Sequence, residues 1–162
     1  MPRVYVSIGS NINPEDNIRS GVRALKQLYP ALIVSSVYRS KAIGFIGDDF
    51  YNLVAGFDTD SSVHEIVDQL KHIEVNHNRD RCSRHISSRT LDMDLLLYDN
   101  LVLSEQDLKI PRDEIMRYTF VLYPLAEIAG QLKHPVNGMT YNELWLKFDD
   151  QTQPLQRIDF QW

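Results

Sequence analysis

The sequence predicts one α/β (α+β) domain with the ferredoxin-like arrangement: a βαββαβ sheet with helices packed on it and a C-terminal extension. Short runs of strand character and two amphipathic helical segments follow one another in that order. The chain has 162 residues, the size of one domain, and no stretch rich in Pro, Gly or Ser divides it. Its composition, 43% hydrophobic and 24% charged, is typical of a globular protein. We therefore expect a single domain over residues 1–162.

Charge, cysteine count and hydropathy limit the partners. The net charge of −5 argues against general affinity for nucleic acid, yet five of the 17 basic residues fall between Lys71 and Arg89. An acidic protein with one basic loop is suited to a small anion. Cys82 is the single cysteine, so no internal disulfide is possible. No apolar run reaches the length of a membrane span or a signal core. We expect a cytoplasmic protein without a membrane partner.

The first strand and helix have clear local signals. An apolar run over residues 4–8 predicts a strand, and Gly9-Ser10-Asn11 predicts the turn that ends it. Asn13 is placed to cap the following helix, with Pro14 at its first position. Tyr29-Pro30 ends this helix. Its apolar residues recur at helical spacing, at Ile18, Val22, Leu25 and Leu28.

The middle of the chain predicts two strands, a loop and a second helix. Residues 32–39 are rich in β-branched and aromatic types and predict the second strand, and residues 50–57 predict the third. The loop between them, residues 40–49, is long enough to have a role of its own. Ser62 and Glu65 form a capping box at the start of a helix with a continuous apolar stripe.

The remaining elements are a fourth strand and the C-terminal extension. Residues 89–98 predict that strand, followed by a hairpin turn into a short strand over residues 101–103. A helical segment begins near Asp113, a short helix covers residues 141–148, and the tail is polar. In this topology we expect the first and fourth strands near the centre of the sheet.

Two carboxylates, Asp92 and Asp94, lie two positions apart on the fourth strand. Because residues i and i+2 of a strand share a face, both leave one face while Leu91, Met93 and Leu95 point to the other. A basic loop lies immediately upstream. Cations beside a carboxylate pair suggest a bound polyanion with a divalent metal between, as phosphoryl transfer needs. The alternative is a solvated edge strand whose aspartates pair with the nearby arginines.

Three segments of the chain form one pattern: Ile8-Gly9-Ser10-Asn11, Arg89-Thr90-Leu91-Asp92-Met93-Asp94 and Phe120-Val121-Leu122-Tyr123-Pro124-Leu125-Ala126-Glu127-Ile128. Together they resemble the hydroxymethyldihydropterin pyrophosphokinase family of folate biosynthesis, and the resemblance covers nearly the whole chain. It implies a ferredoxin-like enzyme that transfers the terminal diphosphate of ATP to the hydroxymethyl group of 6-hydroxymethyl-7,8-dihydropterin, giving AMP. It also implies two Mg²⁺ ions held by Asp92 and Asp94, in agreement with the oxygen ligands that Mg²⁺ prefers.

The resemblance also implies a pterin pocket. Phe50 and Phe120 match the two aromatic rings that sandwich the heterocycle in the family, and Asn52 matches an Asn that reads its polar edge. Backbone groups of the loop that holds Ser40, Ile43 and Gly44 would complete the pocket. From the residues alone, the two Phe could equally be core, and Asn52 a residue of a strand-end turn.

The ATP site implied by the resemblance is largely basic. Arg79, Arg81 and Arg89 match positions of the family's catalytic loop and its motif, where loop closure would exclude water and position the phosphates. Further ATP contacts are expected from Arg84 and Arg112. Lys71 and Glu74 fall where the family contacts adenosine or ribose, although an ordinary solvated helix face explains them equally well. We expect a monomer.

The chain departs from the family pattern at three places, all on the ATP side. Residues 85–88 lack the loop Trp and the Gly-Pro of the family, Arg112 stands where the family commonly has His, and Tyr118 stands where it has Arg. A divergent paralogue that binds pterin or ATP with weak, absent or altered catalysis is therefore the second hypothesis. An RNA-binding ferredoxin-like module would need a basic surface, and a two-metal nuclease or phosphatase would need further ligands. Neither pattern is evident.

Overall fold

A computed structural model describes residues 1–44, 46–77 and 90–162. In this part of the chain the elements are, in order, β1 (Arg3–Ser10), α1 (Pro14–Leu28), β2 (Ile33–Val34), β3 (Val37–Ser40), β4 (Phe50–Asp58), α2 (Val63–His77), β5 (Asp92–Tyr98), β6 (Leu103–Glu105), β7 (Leu108–Ile110), a 3₁₀ turn (Asp113–Met116), α3 (Thr119–Ala129), α4 (Tyr141–Lys147) and β8 (Leu155–Ile158). No helix of the described residues is long and apolar enough to cross a membrane.

The main sheet has the strand order β5-β1-β4-β3-β8, with antiparallel pairing throughout, and β2 pairs with β4. This mixed architecture confirms the ferredoxin-like α+β class. The expectation that the first and fourth predicted strands lie near the centre is right for β1 and wrong for β5, which lies at an edge. The reason is that β4 pairs with one side of β1, so β5 pairs with the other side, and no described strand pairs with the far side of β5.

Helices cover both faces of the sheet. Ile18 and Leu25 of α1 and Ile66 of α2 are fully buried in one apolar cluster against the first face. Leu122 and Leu125 of α3 belong to a second cluster on the opposite face, which α4 joins. Each such side chain stabilises the fold by about 1.5–3 kcal/mol. The candidate site lies on the second face, beside the start of α3.

A β-bulge interrupts the pairing of β5 with β1. Tyr5 faces Leu97 and Val6 faces Leu95, so Leu96 is an extra residue on β5. Bulges of this kind bend the strand and change which face its residues meet. Leu95 consequently packs with the first cluster, whereas Leu96 and Leu97 both pack with the second.

The two predicted helix starts have different outcomes. The capping box is confirmed, since Glu65 N donates to Ser62 Oγ and Ser62 N donates to the Glu65 carboxylate, each at 3.2 Å. Asn13 is the N-cap of α1 and Pro14 its first residue, as predicted, but the side-chain capping bond expected of Asn13 is absent. Asn13 adopts a left-handed backbone (φ 41°, ψ 54°) and its side chain makes no capping hydrogen bond. Pro14 explains this, because a residue before proline avoids the right-handed helical region and Asn tolerates the left-handed one.

Three other boundaries differ from the prediction. The second predicted strand divides into β2 and β3 near Ser35, whose N–H donates to Val54 O at 2.8 Å while its side-chain Oγ, in place of a backbone carbonyl, accepts from Val54 N at 2.9 Å. The predicted hairpin from the fourth strand is wrong: β6 begins at Leu103 and pairs with β7, after a turn in which Asp99 has φ 47°. The polar tail contains β8, which pairs with β3.

His134 packs into the turn between α3 and α4. The residue is 7% exposed, and its Nδ1 accepts hydrogen bonds from the backbone N–H groups of Val136 (3.2 Å) and Asn137 (3.4 Å). An accepting Nδ1 carries no proton, and burial lowers the pKa of the imidazole below its usual value. The fold therefore stabilises the neutral ring.

We expect this histidine to make the stability fall in mild acid. A lowered folded pKa gives stability that is present above the unfolded value of about 6.5 and is lost as the pH falls through the folded value. The drop in Tm between about pH 7.5 and about pH 5 should be smaller in His134→Asn than in the wild type by roughly 2 °C. His72→Asn, on the exposed side of α2, is the control and should keep the wild-type drop. Equal drops in His134→Asn and the wild type would contradict the prediction.

Candidate functional site

A cavity of about 300 Å³ lies where β1, β4 and β5 meet the loop after β3 and the start of α3. It brings together most of the residues singled out from the sequence: Ser40, Ile43, Phe50, Asn52, Asp92, Asp94, Arg112 and Phe120. The rest of the lining comes from the motif segments (Ile8, Gly9 and Val121), from Lys41 of the expected loop, from Tyr118, and from Ser7 and Glu114, which the sequence did not indicate. One cavity is therefore lined by both the aromatic residues and the carboxylate pair.

Some of the expected site residues lie elsewhere. Gly44 is in the loop after β3 with φ 84°, and it is not part of the cavity lining. Lys71 is exposed on α2 and also does not line the cavity. The four arginines of the basic loop and its motif lie outside the described residues: Arg79, Arg81, Arg84 and Arg89.

Three carboxylates gather beside one end of the cavity, where Asp92 and Asp94 line it and Glu74 does not. Glu74, Asp92 and Asp94 are half-buried, and one ligand oxygen of each lies within 4.8 Å of the others. Glu74 also accepts a hydrogen bond from Met93 N at 2.6 Å, which ties α2 to the backbone between the two aspartates. Sequence reasoning placed Glu74 with the nucleoside. No local pattern indicated that α2 would bring it beside a strand that follows 15 residues later in the chain.

The sheet explains why both aspartates reach the cavity. Leu91 and Met93 are buried on the face that α1 and α2 cover, so Asp92 and Asp94 leave the other face, as the alternation predicts. Asp92 stands opposite Gly9 of β1. The edge position of β5 agrees with part of the alternative hypothesis, but the carboxylates face a cavity rather than open solvent.

The β4 wall of the cavity is built around Asn52. This residue is 6% exposed, and its Nδ2 donates to Ser40 Oγ at 2.8 Å, which fixes the orientation of the amide. Gly9 permits this arrangement, because a Cβ atom there would lie 3.0 Å from Asn52 Oδ1. Phe50, two residues earlier on the same strand, lines the same cavity, as expected for positions i and i+2.

The opposite wall is aromatic. Phe120, in the first turn of α3, stacks on Tyr118 with ring centroids 5.0 Å apart and planes inclined by 13°. Tyr118 was noted in the sequence only as a departure from the family Arg. The position of Tyr118 in this wall depends on the turn before α3, and a turn has no periodic pattern in the sequence from which the position could be predicted.

Arg112 joins the carboxylate end to this wall. Its Nη2 lies 3.5 Å from Asp94 Oδ1, and its Nε lies 3.0 Å from Glu114 Oε2, an ion pair without a hydrogen bond from Nε. The backbone holds the residue as well, because Arg112 N donates to Leu96 O at 3.1 Å. A guanidinium inside a site rich in carboxylates is suited to a ligand that carries its own negative charge and a metal ion.

A second cavity, of about 800 Å³, lies near the end of α3. It is larger, but none of the candidate site residues lines it. The larger volume therefore does not identify the cavity that holds the candidate site residues. The smaller cavity is the better candidate because it combines flat apolar rings, a fixed amide and clustered carboxylates.

Comparisons with known proteins agree with this geometry. The family model described as 7,8-dihydro-6-hydroxymethylpterin-pyrophosphokinase (HPPK) matches residues 5–130. The chain is 36% identical over 154 residues to a 2-amino-4-hydroxy-6-hydroxymethyldihydropteridine pyrophosphokinase of Haemophilus influenzae, with 93% of this chain and 95% of that protein covered. A protein of the same name from Pseudomonas aeruginosa is 36% identical over 137 residues, covering 82% of this chain and 84% of that one.

Solved structures extend the likeness to the fold. Wild-type Plasmodium falciparum HPPK-DHPS superposes with a TM-score of 0.67 at 14% identity, covering 90% of this chain and 44% of that one. An HPPK-DHPS solved in complex with substrates gives a TM-score of 0.69 at 11% identity, with 90% and 43% covered. This chain thus spans less than half the length of those proteins, and identity at this level shows the fold alone.

Proposed function

The chain belongs to the 7,8-dihydro-6-hydroxymethylpterin-pyrophosphokinase family, and we propose that it transfers the terminal diphosphate of ATP to the hydroxymethyl group of 6-hydroxymethyl-7,8-dihydropterin. The hydroxyl oxygen bonds to the β-phosphorus, the bond from that phosphorus to the oxygen of the α-phosphate breaks, and the hydroxyl proton is released. AMP and the pterin diphosphate leave. The observation that carries the proposal is that one cavity unites Phe50, Asn52 and Phe120 with Asp92 and Asp94.

We propose that Asp92 and Asp94 hold two Mg²⁺ ions together with ATP, and that Glu74 supports them. The three half-buried carboxylates offer the oxygen donors that Mg²⁺ prefers. When bound, the ions would lower the charge on the phosphate oxygens that repels an incoming hydroxyl. Glu74 accepts from Met93 N, and this contact links α2 to the strand between the two aspartates.

The pterin is proposed to lie between the Asn52 wall and the Phe120 wall. A flat heterocycle gains from stacking on aromatic rings, and an amide presents both a donor and an acceptor to its polar edge. The bond from Asn52 Nδ2 to Ser40 Oγ leaves the Oδ1 acceptor and the second N–H for the ring. A preset amide of this kind lowers the entropy cost of binding.

The ATP phosphates are proposed to lie between the carboxylates and Arg112, with the basic loop above them. Arg112 lines the cavity and is always charged, so it suits phosphate oxygens although the family commonly has His there. Arg79, Arg81, Arg84 and Arg89 are proposed for the same phosphates on the family pattern. For Lys71 and Glu74 we retain contacts with the nucleoside as a proposal, while the position of Glu74 also supports a role beside the metal.

We further propose that residues 1–162 act as one domain and as a monomer in the cytoplasm, on small molecules rather than nucleic acid or a membrane. The lining of the cavity among the described residues comes from one chain, which supports the monomer. A sedimentation measurement that gave a dimer at working concentration would contradict the monomer.

The test of the function is a product analysis. The protein is incubated with ATP, Mg²⁺ and 6-hydroxymethyl-7,8-dihydropterin, and the mixture is analysed by mass spectrometry. We expect AMP and a pterin diphosphate. ADP with a pterin monophosphate would overturn the diphosphoryl assignment. No turnover combined with retained binding of the pterin would favour the divergent paralogue instead.

A further inference from the structure

We propose that Gln153, in the C-terminal tail, is a positioning residue for the pterin: its side-chain amide fixes the Tyr118–Phe120 wall of the cavity. The inference rests on the proposed function of the cavity, because it assumes that this wall contacts the heterocycle. Gln153 lies beyond residues 5–130, the part of the chain that the family model matches. It is half-buried and does not line the cavity itself.

The amide of Gln153 binds the chain on both sides of Tyr118. Its Nε2 donates to Arg117 O at 2.9 Å, and its Oε1 accepts from Thr119 N at 3.0 Å. The backbone adds a third bond, because Thr119 Oγ1 donates to Gln153 O at 2.9 Å. Thr119 is 1% exposed. If the Gln153 Oε1 acceptor were removed, water could not easily replace it, and the Thr119 N–H would be left buried without that hydrogen bond.

This pattern is the one that a neighbouring β-strand would make. A strand partner accepts from the N–H after a residue and donates to the C=O before it, and so holds that residue extended. Tyr118 has φ −126° and ψ 131°, in the extended region, although a 3₁₀ turn precedes it and α3 follows. Gln153 therefore replaces a strand at this single residue, and it also satisfies one of the free N–H groups at the start of α3.

The extended backbone of Tyr118 decides where its ring lies. That ring stacks on Phe120, and both rings line the cavity. If Tyr118 were released, Phe120 would lose the neighbour that keeps its plane fixed, and a ring sandwich depends on that plane. The amide thus acts on the pterin through two rings, at a distance from the reacting atoms.

The tail that carries Gln153 is itself attached to the other side of the cavity. Just after it, β8 pairs with β3, and Leu155 stands opposite Ser40. Ser40 accepts the hydrogen bond of Asn52 in the facing wall. One short tail therefore contacts the supports of both walls, which suits a role in holding their separation.

The experiment compares Gln153→Met with the wild type. Met has a similar length and keeps the packing, but it removes both amide hydrogen bonds. We expect the Kd for 6-hydroxymethyl-7,8-dihydropterin, measured by calorimetry with α,β-methylene-ATP present, to rise by about tenfold. The KM for ATP should stay within about twofold, since the carboxylate end is untouched. Gln153→Glu keeps the acceptor for Thr119 N and loses the donor, so its Kd should lie between the two.

Gln151→Met is the matched control, because it makes the same change at an exposed position two residues earlier, and Phe120→Ala reports on the cavity. If Gln153→Met lowers Tm but leaves the pterin Kd at the wild-type value while Phe120→Ala raises it, Gln153 is merely structural and the inference is wrong. If Phe120→Ala also leaves pterin binding unchanged, the proposed function of the cavity fails instead. An equal rise in the KM values for both substrates would also overturn the positioning role.

Discussion

Replacing Asp94 by Ala should lower kcat/KM by about 100- to 1,000-fold, the loss expected when a metal that stabilises transferring phosphates is misplaced. Asp94 is one of the three clustered carboxylates, and its Oδ1 lies 3.5 Å from Arg112 Nη2. The change therefore removes a proposed Mg²⁺ ligand and leaves the guanidinium without this ion pair. The rate of AMP formation at saturating and limiting Mg²⁺ measures the effect, because a weakened site demands more of the metal.

The control for this variant is Asp107→Ala. Asp107 is an exposed carboxylate between β6 and β7, so the same change there lowers the formal negative charge equally without touching the cavity. It should leave kcat/KM within about twofold of the wild type. Activity of Asp94→Ala within about threefold of the wild type would remove this carboxylate from the reaction.

The second large effect is expected from Phe120→Ala. Stacking of a flat heterocycle on an aromatic side chain is worth about 1–3 kcal/mol by alanine substitution, so the KM for the pterin should rise about 5- to 150-fold. The KM for ATP should change little, because the phosphates are proposed to lie at the opposite end. Initial rates measured with each substrate varied in turn separate the two constants.

Phe148→Ala is the control for the packing that Phe120→Ala also removes. Phe120 and Phe148 are both partly buried at the edge of the same apolar cluster, so both variants lose packing, but only Phe120 lines the cavity. Phe148→Ala should lower Tm without changing the pterin KM. If the two variants raise the pterin KM equally, Phe120 acts through stability and the ring-stacking role is wrong.

Local signals carried most of the fold prediction. The apolar stripe and capping box of α2, and the alternation that sends Asp92 and Asp94 to one face, depend only on neighbours along the chain, and both are present. The βαββαβ order was likewise readable from periodicity. The family resemblance, and not local pattern, then implied Phe50, Asn52 and Phe120, which line one cavity with the aspartates.

What the sequence did not reveal depends on contacts between distant segments. Strand β8 forms in a polar tail because β3 offers it an edge, which no pattern within the tail announces. Glu74 joins the aspartates only because α2 packs against β5. The pairing of Gln153 with the residues around Tyr118 spans 34 positions and needs both segments in place. Such long-range contacts depend on the topology of the fold rather than on the local secondary-structure preferences of the residues.

The extra residue in β5, Leu96, determines which face of the sheet Asp92 and Asp94 occupy. With Val4 opposite Tyr98, an uninterrupted ladder would count back to place Asp94 opposite Ile8, which is 1% exposed on the side that α1 and α2 cover. The carboxylates would then point into hydrocarbon. The one-residue slip instead aligns Asp94 with Ser7, a residue of the cavity. A design that transfers β5 to another sheet, or shortens it, must therefore keep the bulge at Leu96 as well as the two aspartates.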